Sequence, residues 1–300
     1  MYNEEEVASK CYERIKGVMS GLENYEHELV IVNDGSTDNT LQILREIARN
    51  DNDVKVISFS RNFGHECATE CGINYCRGDA AIIIDADLQD PPENIPEMIK
   101  IWEDGNEIVY GKRKIRKGES FFKKMTAKAF YRFLDKMSDT KIPLDTGDFR
   151  LIDRKVLDDI CQMPEKNKFM RGLISWCGYK QYAYEYERDK RAGGQTKYSF
   201  GKLLHLAGDG IISFSAKPLK IVGKLGAFSI MISIIILVYA LVSYFTCRAI
   251  EVGWTSIMVT ITFFTGIQLL CLWLIAEYIS RIYDNSKERP NYIVDEVINM

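Results

Sequence analysis

Short apolar runs alternate with amphipathic stretches over the first third of the chain. Four apolar runs bounded by turn residues predict strands over 29–34, 54–58, 80–84 and 107–110. Between them, apolar residues at helical spacing predict helices over 39–50, 66–76 and 93–104. This alternation is typical of an α/β domain whose mostly parallel sheet is covered by helices on both faces. Ligands bind at the carboxyl ends of such strands, so the polar residues there are the candidate functional groups.

The chain opens without the strand that usually begins such a sheet. Met1 leads through the polar segment Tyr2-Asn3-Glu4-Glu5 directly into a predicted helix. We expect the natural product to extend upstream of Met1 and to supply that first strand.

Two long uncharged runs distinguish the C-terminal part of the chain. They span 225–247 and 252–276 and are 23 and 25 residues long. At about 1.5 Å per residue, a helix of either length crosses a hydrocarbon core of about 30 Å. Because only Arg248–Glu251 separates them, they predict a tight hairpin of two transmembrane helices. The alternative is a pair of buried core helices in a soluble protein.

Basic residues flank this hairpin on its two outer ends and are nearly absent from its loop. They are Lys217, Lys220 and Lys224 before the first run and Arg281, Lys287 and Arg289 after the second. The positive-inside rule then predicts a multi-pass protein of the inner cell membrane, with the sheet domain and both termini in the cytoplasm. The predicted parts are a domain at 1–200, a juxtamembrane amphipathic segment at 201–221, two membrane helices within 222–279 and a cytoplasmic tail at 280–300.

Residues 119–137 form a second candidate membrane contact. Phe122, Met125 and Phe133 share one face at helical spacing, whereas lysines and an arginine occupy the other. A basic, aromatic helix of this kind suits a membrane interface, although an ordinary surface helix packed on the sheet is the alternative. The net charge of −3 argues against nucleic acid as a partner.

The most specific local pattern, Asp85-Ala86-Asp87-Leu88-Gln89-Asp90, follows the third predicted strand. On an extended chain, residues i and i+2 face the same way, so Asp85 and Asp87 would converge. Two close carboxylates repel each other unless a cation lies between them. With the nearby amide of Gln89, they suit a hard divalent ion, Mg²⁺ or Mn²⁺, that also takes substrate phosphate oxygens. A solvated turn would explain an isolated pattern, but the buried strand before it makes this one more specific.

The ordered motifs resemble the family 2 glycosyltransferases of the GT-A fold. They are the opening Tyr2–Glu5, then Val32-Asn33-Asp34-Gly35-Ser36, the Asp85–Asp90 pattern, Gly111-Lys112-Arg113, Asp145-Thr146-Gly147-Asp148-Phe149-Arg150, and Arg191-Ala192-Gly193-Gly194-Gln195-Thr196-Lys197-Tyr198. Together with the two C-terminal runs, they make the whole chain similar to the polyisoprenyl-phosphate glycosyltransferases. That group includes the bactoprenol glucosyltransferases and, more distantly, dolichol-phosphate mannose synthase. The absent first strand is the main departure.

The resemblance implies a hexosyltransferase reaction that inverts the anomeric centre. The donor would be a nucleotide diphosphate sugar, with UDP-glucose as the first candidate. The acceptor would be a membrane polyprenyl phosphate such as undecaprenyl phosphate. Asp34, Tyr2 and Glu4 would hold the base and ribose. The metal that bridges the donor diphosphate would be held by Asp85, Asp87 and Gln89.

Two anionic substrates must also be held close together, which requires basic side chains. The candidates for this clamp are Arg113, Arg150, Arg191 and Lys197. For each of them, the alternative is a solvated surface charge with no role in binding. Asp148 would orient the acceptor or accept its proton, with Asp145 competing for that role and a structural turn carboxylate as the alternative. His65 is expected to line the pocket rather than act as a base. The sequence leaves open whether copies of the chain form a homo-oligomer.

Two other functions compete with this interpretation. A processive polysaccharide synthase would share the fold and the two aspartates, but it usually needs a Gln-x-x-Arg-Trp motif and more membrane spans. A non-catalytic membrane scaffold would have no reason to keep the acidic and basic candidates together. A nicotinamide-dependent dehydrogenase is disfavoured because no Gly-x-Gly-x-x-Gly follows a strand.

Overall fold

The computed structural model describes residues 1–114, 146–166, 168–189, 217–246 and 253–300. These residues form two compact units. One unit contains the described residues up to Asp189 together with Arg289–Met300, and the other contains those from Lys217 to Glu288. The first unit therefore takes up the end of the chain, which the sequence suggested to be a separate tail.

Every strand and helix expected within residues 29–110 is present. The strands of the first unit are β1 (Leu29–Asn33), β2 (Val54–Phe59), β3 (Ala80–Ile83), β4 (Ile108–Arg113), β5 (Thr146–Asp153), β6 (Gln181–Tyr186) and β7 (Val294–Ile298). Its helices are α1 (Ala8–Met19), α2 (Thr40–Asn50), α3 (His65–Tyr75), α4 (Ile95–Glu103), α5 (Arg154–Gln162) and α6 (Met170–Trp176), with a 3₁₀ turn at Pro92–Asn94. The second unit contains α7 (Lys217–Thr246) and α8 (Trp254–Ser286).

The strands form two mixed sheets, which corrects the expectation of a mostly parallel one. In the first sheet, of order β1-β2-β7, β1 and β2 run parallel, but β7 from the chain end is antiparallel to β2. In the second sheet, of order β3-β5-β4-β6, β5 lies antiparallel between β3 and β4. Among the described strands, β1–β2 and β4–β6 pair in parallel, whereas every pairing made by β5 or β7 is antiparallel.

The core of the first unit consists of apolar layers on these sheets. Leu44 and Ala48 of α2 are fully buried against Val54 and Val56 of β2. On the second sheet, Met98 of α4 is buried with Phe149 of β5. Burial of such side chains contributes about 1.5–3 kcal/mol each, so the sheets give a rigid base for the loops at their edges.

The second unit contains the two apolar runs. Both runs are helical where they are described, and α8 continues ten residues past the predicted end at 276 to Ser286. Within the described part of the chain, Phe263–Ser286 is long and apolar enough to span a membrane. The apolar segment found in α7, Val222–Ile232, is shorter, so the expected pair of spans is supported here for its second member only.

Candidate active site

Two carboxylates meet where strand β3 ends. In the antiparallel pair of β3 and β5, Ile83 lies opposite Arg150. Asp85 follows Ile83 by two residues and Asp148 precedes Arg150 by two, and a carboxylate oxygen of Asp85 lies within 4.8 Å of one of Asp148. The β5 strand, which the sequence pattern did not place beside β3, therefore brings the two aspartates together.

Asp148 is held on both of its oxygens. The Arg171 guanidinium of α6 donates from Nε to Oδ1 at 2.6 Å and from Nη2 to Oδ2 at 2.7 Å. His65, the first residue of α3, has its Nε2 at 3.0 Å from Oδ2 of Asp148 and at 4.0 Å from Oδ1 of Asp85. Three chain segments thus converge on one carboxylate that is itself buried.

The electrostatic effects in this cluster have identifiable causes. Burial would raise the pKa of Asp148, but hydrogen bonds from His65 and Arg171 outweigh it and hold that pKa well below the usual range. The bond to Asp148 raises the pKa of His65 to about 9, against an opposing contribution from desolvation. Burial raises the pKa of Asp85. Because its carboxylate stays ionised and paired, Asp148 is a poor proton acceptor and a strong anchor for cations.

The position of His65 depends on Asp34, at the end of β1. Oδ1 of Asp34 accepts from the backbone N–H of Phe63 at 2.7 Å, and Oδ2 accepts from the N–H of Gly64 at 3.0 Å and from Asn62 Nδ2 at 2.9 Å. Gly64 has φ +102, a conformation that favours glycine and allows α3 to start at His65. Asp34 therefore builds the loop before α3, and the base and ribose contact that the resemblance implies for it stays a prediction.

The donor atoms fit a divalent cation. A ligand atom from each of His65, Asp85 and Asp148 lies within 4.8 Å of the others. One imidazole and two carboxylates suit Mn²⁺ and related ions. This set shares Asp85 with the set expected from the sequence, which comprised Asp85, Asp87 and Gln89. The two sets differ in the remaining ligands.

The chain does not stay extended after β3, so the expected convergence of Asp85 and Asp87 by strand alternation does not apply. The strand ends at Ile83, and Leu88 adopts a left-handed φ of +57 within a turn. Asp85 faces His65, whereas Asp87 Oδ1 accepts from the backbone N–H of Gln89 at 3.1 Å and Oδ2 lies 3.8 Å from Arg188 Nη2. The turn gives the two aspartates different neighbours.

Two of the predicted clamp residues, Arg113 and Arg150, lie on the strands next to the acidic cluster. Arg113 ends β4, and its guanidinium lies where a Cβ on Gly147 would be. Arg150 is buried with 4 % of its surface exposed and donates to the carbonyl of Gly147 at 2.9 Å. Burial lowers the pKa of Arg150 to about 10. Arg150 thus supports the β5 backbone next to Asp148 from inside the protein and does not present its charge to solvent.

The N-terminal segment packs against the turn that follows β1. The backbone N–H of Asn3 donates to Ser36 Oγ at 3.0 Å, and that of Glu4 donates to Thr40 Oγ1 at 2.9 Å. These contacts place Tyr2 and Glu4 near the turn, and their role in holding the base and ribose stays a prediction. Arg191, Lys197, Asp145, the amphipathic stretch 119–137 and most of 201–221 lie outside the described residues.

Arg171 is the functional candidate that the sequence analysis missed, and the role of His65 was underestimated. Neither residue belongs to the motifs that carried the resemblance. The sequence held one chemical signal for Arg171, because the Asp148 carboxylate on a buried strand needs a cationic partner. Only the fold shows that α6 supplies it.

Comparisons with known proteins identify the family of the chain. The model of glycosyl transferase family 2 matches residues 1–161. An uncharacterised glycosyltransferase of Bacillus subtilis, YkcC, is 52% identical over 298 residues, covering 99% of this chain and 91% of the relative. A bactoprenol glucosyl transferase of Shigella phage SfV is 40% identical over 294 residues, covering 98% and 95%.

A solved structure supports the fold. A mannosyltransferase from Pyrobaculum calidifontis, in complex with GDP-Man and Mn²⁺, aligns with a TM-score of 0.50 at 15% identity, covering 95% of this chain and 85% of that one. The fold is that of a GT-A glycosyltransferase. The chain belongs to glycosyl transferase family 2, which confirms the resemblance seen in the sequence.

Proposed function

We propose that this glycosyltransferase moves a hexose from a nucleotide diphosphate sugar to a membrane polyprenyl phosphate, with inversion at the anomeric carbon. The observation that carries the proposal is the cluster of Asp85, His65, Asp148 and Arg171 at the end of β3. It lies in a chain that is similar over its full length to a bactoprenol glucosyl transferase. UDP-glucose is the first donor to test, with undecaprenyl phosphate as acceptor.

A divalent cation, Mg²⁺ or Mn²⁺, would be held at Asp85, with Asp87 and Gln89 or with His65 and Asp148 as further ligands. When bound, such an ion stabilises the negative charge that develops on the leaving nucleoside diphosphate. The position of the half-buried Asp85 carboxylate favours this role, because its oxygen lies within 4.8 Å of ligand atoms of His65 and Asp148, close enough for one cation to be shared.

The nucleophile would be an oxygen of the acceptor phosphate. It attacks the anomeric carbon as the bond from that carbon to the donor diphosphate breaks, and the nucleoside diphosphate leaves. Since the second pKa of a phosphate monoester is about 6, the acceptor is already ionised at neutral pH and needs no strong base. The role of Asp148 is then to hold Arg171 and His65 in position to bind the anionic substrates.

The connectivity of the chain supports a two-span membrane topology. The chain leaves the first unit before Lys217 and returns to it at Arg289, where β7 joins the sheet beside β2. Two parts of one folded unit lie on the same side of a membrane, so the segment between them must cross an even number of times. If α8 crosses, we take α7 as the second crossing, with the catalytic unit in the cytoplasm.

The test is the formation of a glycolipid by the full chain in detergent or membranes. We expect a labelled product, extractable into organic solvent, when UDP-glucose, undecaprenyl phosphate and Mn²⁺ are supplied together. The double variant Asp85→Ala/Asp87→Ala should lose this product, whereas Asp104→Ala, an exposed carboxylate at the end of α4, should retain it. Unchanged activity in the double variant would refute the metal assignment.

The same assay separates the competing functions. A product carrying one sugar per lipid supports the proposal, whereas a ladder of longer products would indicate a processive synthase. No transfer from a panel of labelled UDP- and GDP-sugars to the lipid would refute the proposed function and favour a scaffold.

A further inference from the structure

Asp90, the last residue of the acidic pattern, is a fully buried carboxylate with its own set of partners. Its exposed fraction is 0%. Its Oδ1 accepts from the Tyr186 hydroxyl at 2.5 Å and from Arg188 Nε at 3.0 Å. Within the described residues, its Oδ2 is buried without a hydrogen-bond partner. A buried carboxylate that is not fully hydrogen-bonded needs a nearby cation, and Arg188 supplies that charge.

Arg188 lies between Asp90 and Asp87. Its Nε is within hydrogen-bond distance of Asp90, whereas its Nη2 remains 3.8 Å from Asp87 Oδ2, which is beyond a direct hydrogen bond. A guanidinium that moved the remaining distance to Asp87 would compete with a divalent cation for that carboxylate. The charge of Asp90 opposes this movement.

Tyr186 fixes the orientation of Asp90. Its ring packs edge-on against Phe149 with centroids 5.7 Å apart, and a Cβ on Gly111 would lie 2.7 Å from the ring. Burial and the bond to Asp90 raise the pKa of Tyr186, so its hydroxyl stays protonated and donates. Arg113 forms a hydrogen bond with the same hydroxyl. The orientation of Asp90 is therefore determined by a side chain packed firmly in the core.

The acidic loop has supports that do not involve Asp90. The backbone N–H of Asp189 donates to the carbonyl of Gln89 at 2.9 Å, and Arg14 Nη1 donates to the carbonyl of Leu88 at 3.3 Å. Leu88 is buried among apolar residues of α1. Neutralising Asp90 should therefore release Arg188 without unfolding the loop.

We propose that Asp90, oriented by Tyr186, is a positioning residue that holds Arg188 away from Asp87 and so keeps the guanidinium from competing with the divalent cation. The inference rests on the proposed metal-dependent function, which it deepens. It concerns the affinity for the ion, and that affinity can be measured without sugar donor or lipid.

The experiment measures Mn²⁺ binding to the full chain in detergent at neutral pH, from the electron paramagnetic resonance signal of free Mn²⁺. Asp90→Asn should weaken binding about tenfold, because partners of metal ligands commonly affect affinity by about 10- to 100-fold. Removing the competitor as well, in Asp90→Asn/Arg188→Met, should restore affinity to within about threefold of the wild type. Arg188→Met alone should not weaken binding.

A conservative pair of variants keeps the test decisive if Asp90→Asn fails to fold. Tyr186→Phe removes only the hydroxyl that orients Asp90 and should weaken Mn²⁺ binding about threefold. Tyr184→Phe is the matched control on the same strand, since its hydroxyl contacts Asn94 at 3.3 Å instead. Equal affinities for these two variants would overturn the inference.

Wild-type affinity in Asp90→Asn, or a double variant as weak as Asp90→Asn, would also overturn it. If the role of Asp90 were only structural, removing Arg188 as well would weaken Mn²⁺ binding further. The restoration of Mn²⁺ binding without any glycolipid product would refute the proposed acceptor or donor and leave the inference standing. Glycolipid formation without restoration would refute the inference alone.

Discussion

Arg171 holds Asp148 with two parallel hydrogen bonds, at 2.6 and 2.7 Å, from a helix that the motifs did not mark. Such bidentate pairs are about twice as strong as neutral hydrogen bonds and fix geometry as well as charge. The pair fixes the guanidinium of Arg171 beside the two neighbouring aspartates. It also explains why Asp148 is suited to orientation and not to proton transfer.

Removing the guanidinium should therefore impair transfer. Arg171→Lys keeps the positive charge but loses the pair of parallel hydrogen bonds, and it should lower kcat about tenfold. Arg171→Met loses both the charge and the hydrogen bonds, and it should lower kcat about 100-fold. Glycolipid formation at saturating donor measures the effect. Arg154→Met is the matched control, because Arg154 is comparably exposed but binds the carbonyls of Cys76 and Gly78. Wild-type kcat in Arg171→Met would contradict this role.

The two possible ligand sets of the metal can be separated by substitution. Asp85→Asn should abolish Mn²⁺ binding, since Asp85 belongs to both sets. We expect Asp87→Asn to weaken binding about tenfold or more and His65→Gln by less than about threefold. The reason is that both oxygens of Asp148 are already engaged by Arg171, whose charge repels a second cation there.

The measurement is again the signal of free Mn²⁺, read alongside thermal unfolding to confirm that each variant folds. Strong loss in His65→Gln with little change in Asp87→Asn would instead assign the ion to His65, Asp85 and Asp148. In that case Asp148→Asn should show the same loss as His65→Gln.

Asp34 should act through the loop that it holds. Asp34→Asn replaces an oxygen that accepts from Asn62 and Gly64 by an amide that cannot accept, and should cost about 2–3 kcal/mol of unfolding free energy. Donor KM should rise in parallel, because His65 follows this loop. Thermal unfolding and donor titration measure the two effects. A raised KM with unchanged stability would instead support direct contact between Asp34 and the nucleotide.

Local patterns predicted the first half of the fold well. The apolar runs from Leu29 to Tyr110 have the length and turn residues of strands, and each forms one. The acidic pattern after β3 located Asp85 as a candidate, and the family resemblance located Asp148. Neither could reveal that the two lie close together, because that depends on the pairing of β5 with β3.

Non-local pairing explains most of what was missed. The end of the chain pairs Val297 with Ile57, about 240 positions earlier, and no local pattern distinguishes such a strand from a polar tail. The left-handed Leu88 broke the alternation that Asp85 and Asp87 were expected to follow. Leucine rarely adopts this conformation, so the residue types at these positions did not predict the turn.

The end of the chain should be needed for the stability of the catalytic unit. Tyr292 stacks on Phe59 with ring centroids 4.9 Å apart, and Asn291 donates to Glu70 at 2.7 Å. Tyr292→Ala should lower the unfolding free energy by about 2–3 kcal/mol through lost burial. Ile293→Ala, an exposed neighbour, should change it by less than about 0.5 kcal/mol. Equal thermal midpoints for the two variants would show that this segment contributes little to the stability of the catalytic unit.

Glu28 should make stability depend on acid pH. Burial would raise its pKa, but the Lys55 ammonium and the backbone N–H groups of Arg77 and Gly78 outweigh this and hold the pKa below the ordinary glutamate value. A lowered folded-state pKa adds stability above the unfolded value of about 4.3, and that stability is lost as the pH falls through the folded value. Glu28→Gln should therefore lower the unfolding free energy by about 1–2 kcal/mol at neutral pH and by almost nothing in strong acid.

Thermal unfolding of the wild type and Glu28→Gln across this pH range measures the difference. Glu26→Gln, which alters an exposed carboxylate two residues earlier, is the control and should follow the wild type at every pH. The contacts of Glu28 join the segment before β1 to β2 and to the turn before β3. The difference in unfolding free energy between Glu28→Gln and the wild type could instead stay constant down to strong acid. That result would mean that shape and packing, and not the ionised carboxylate, hold these segments together.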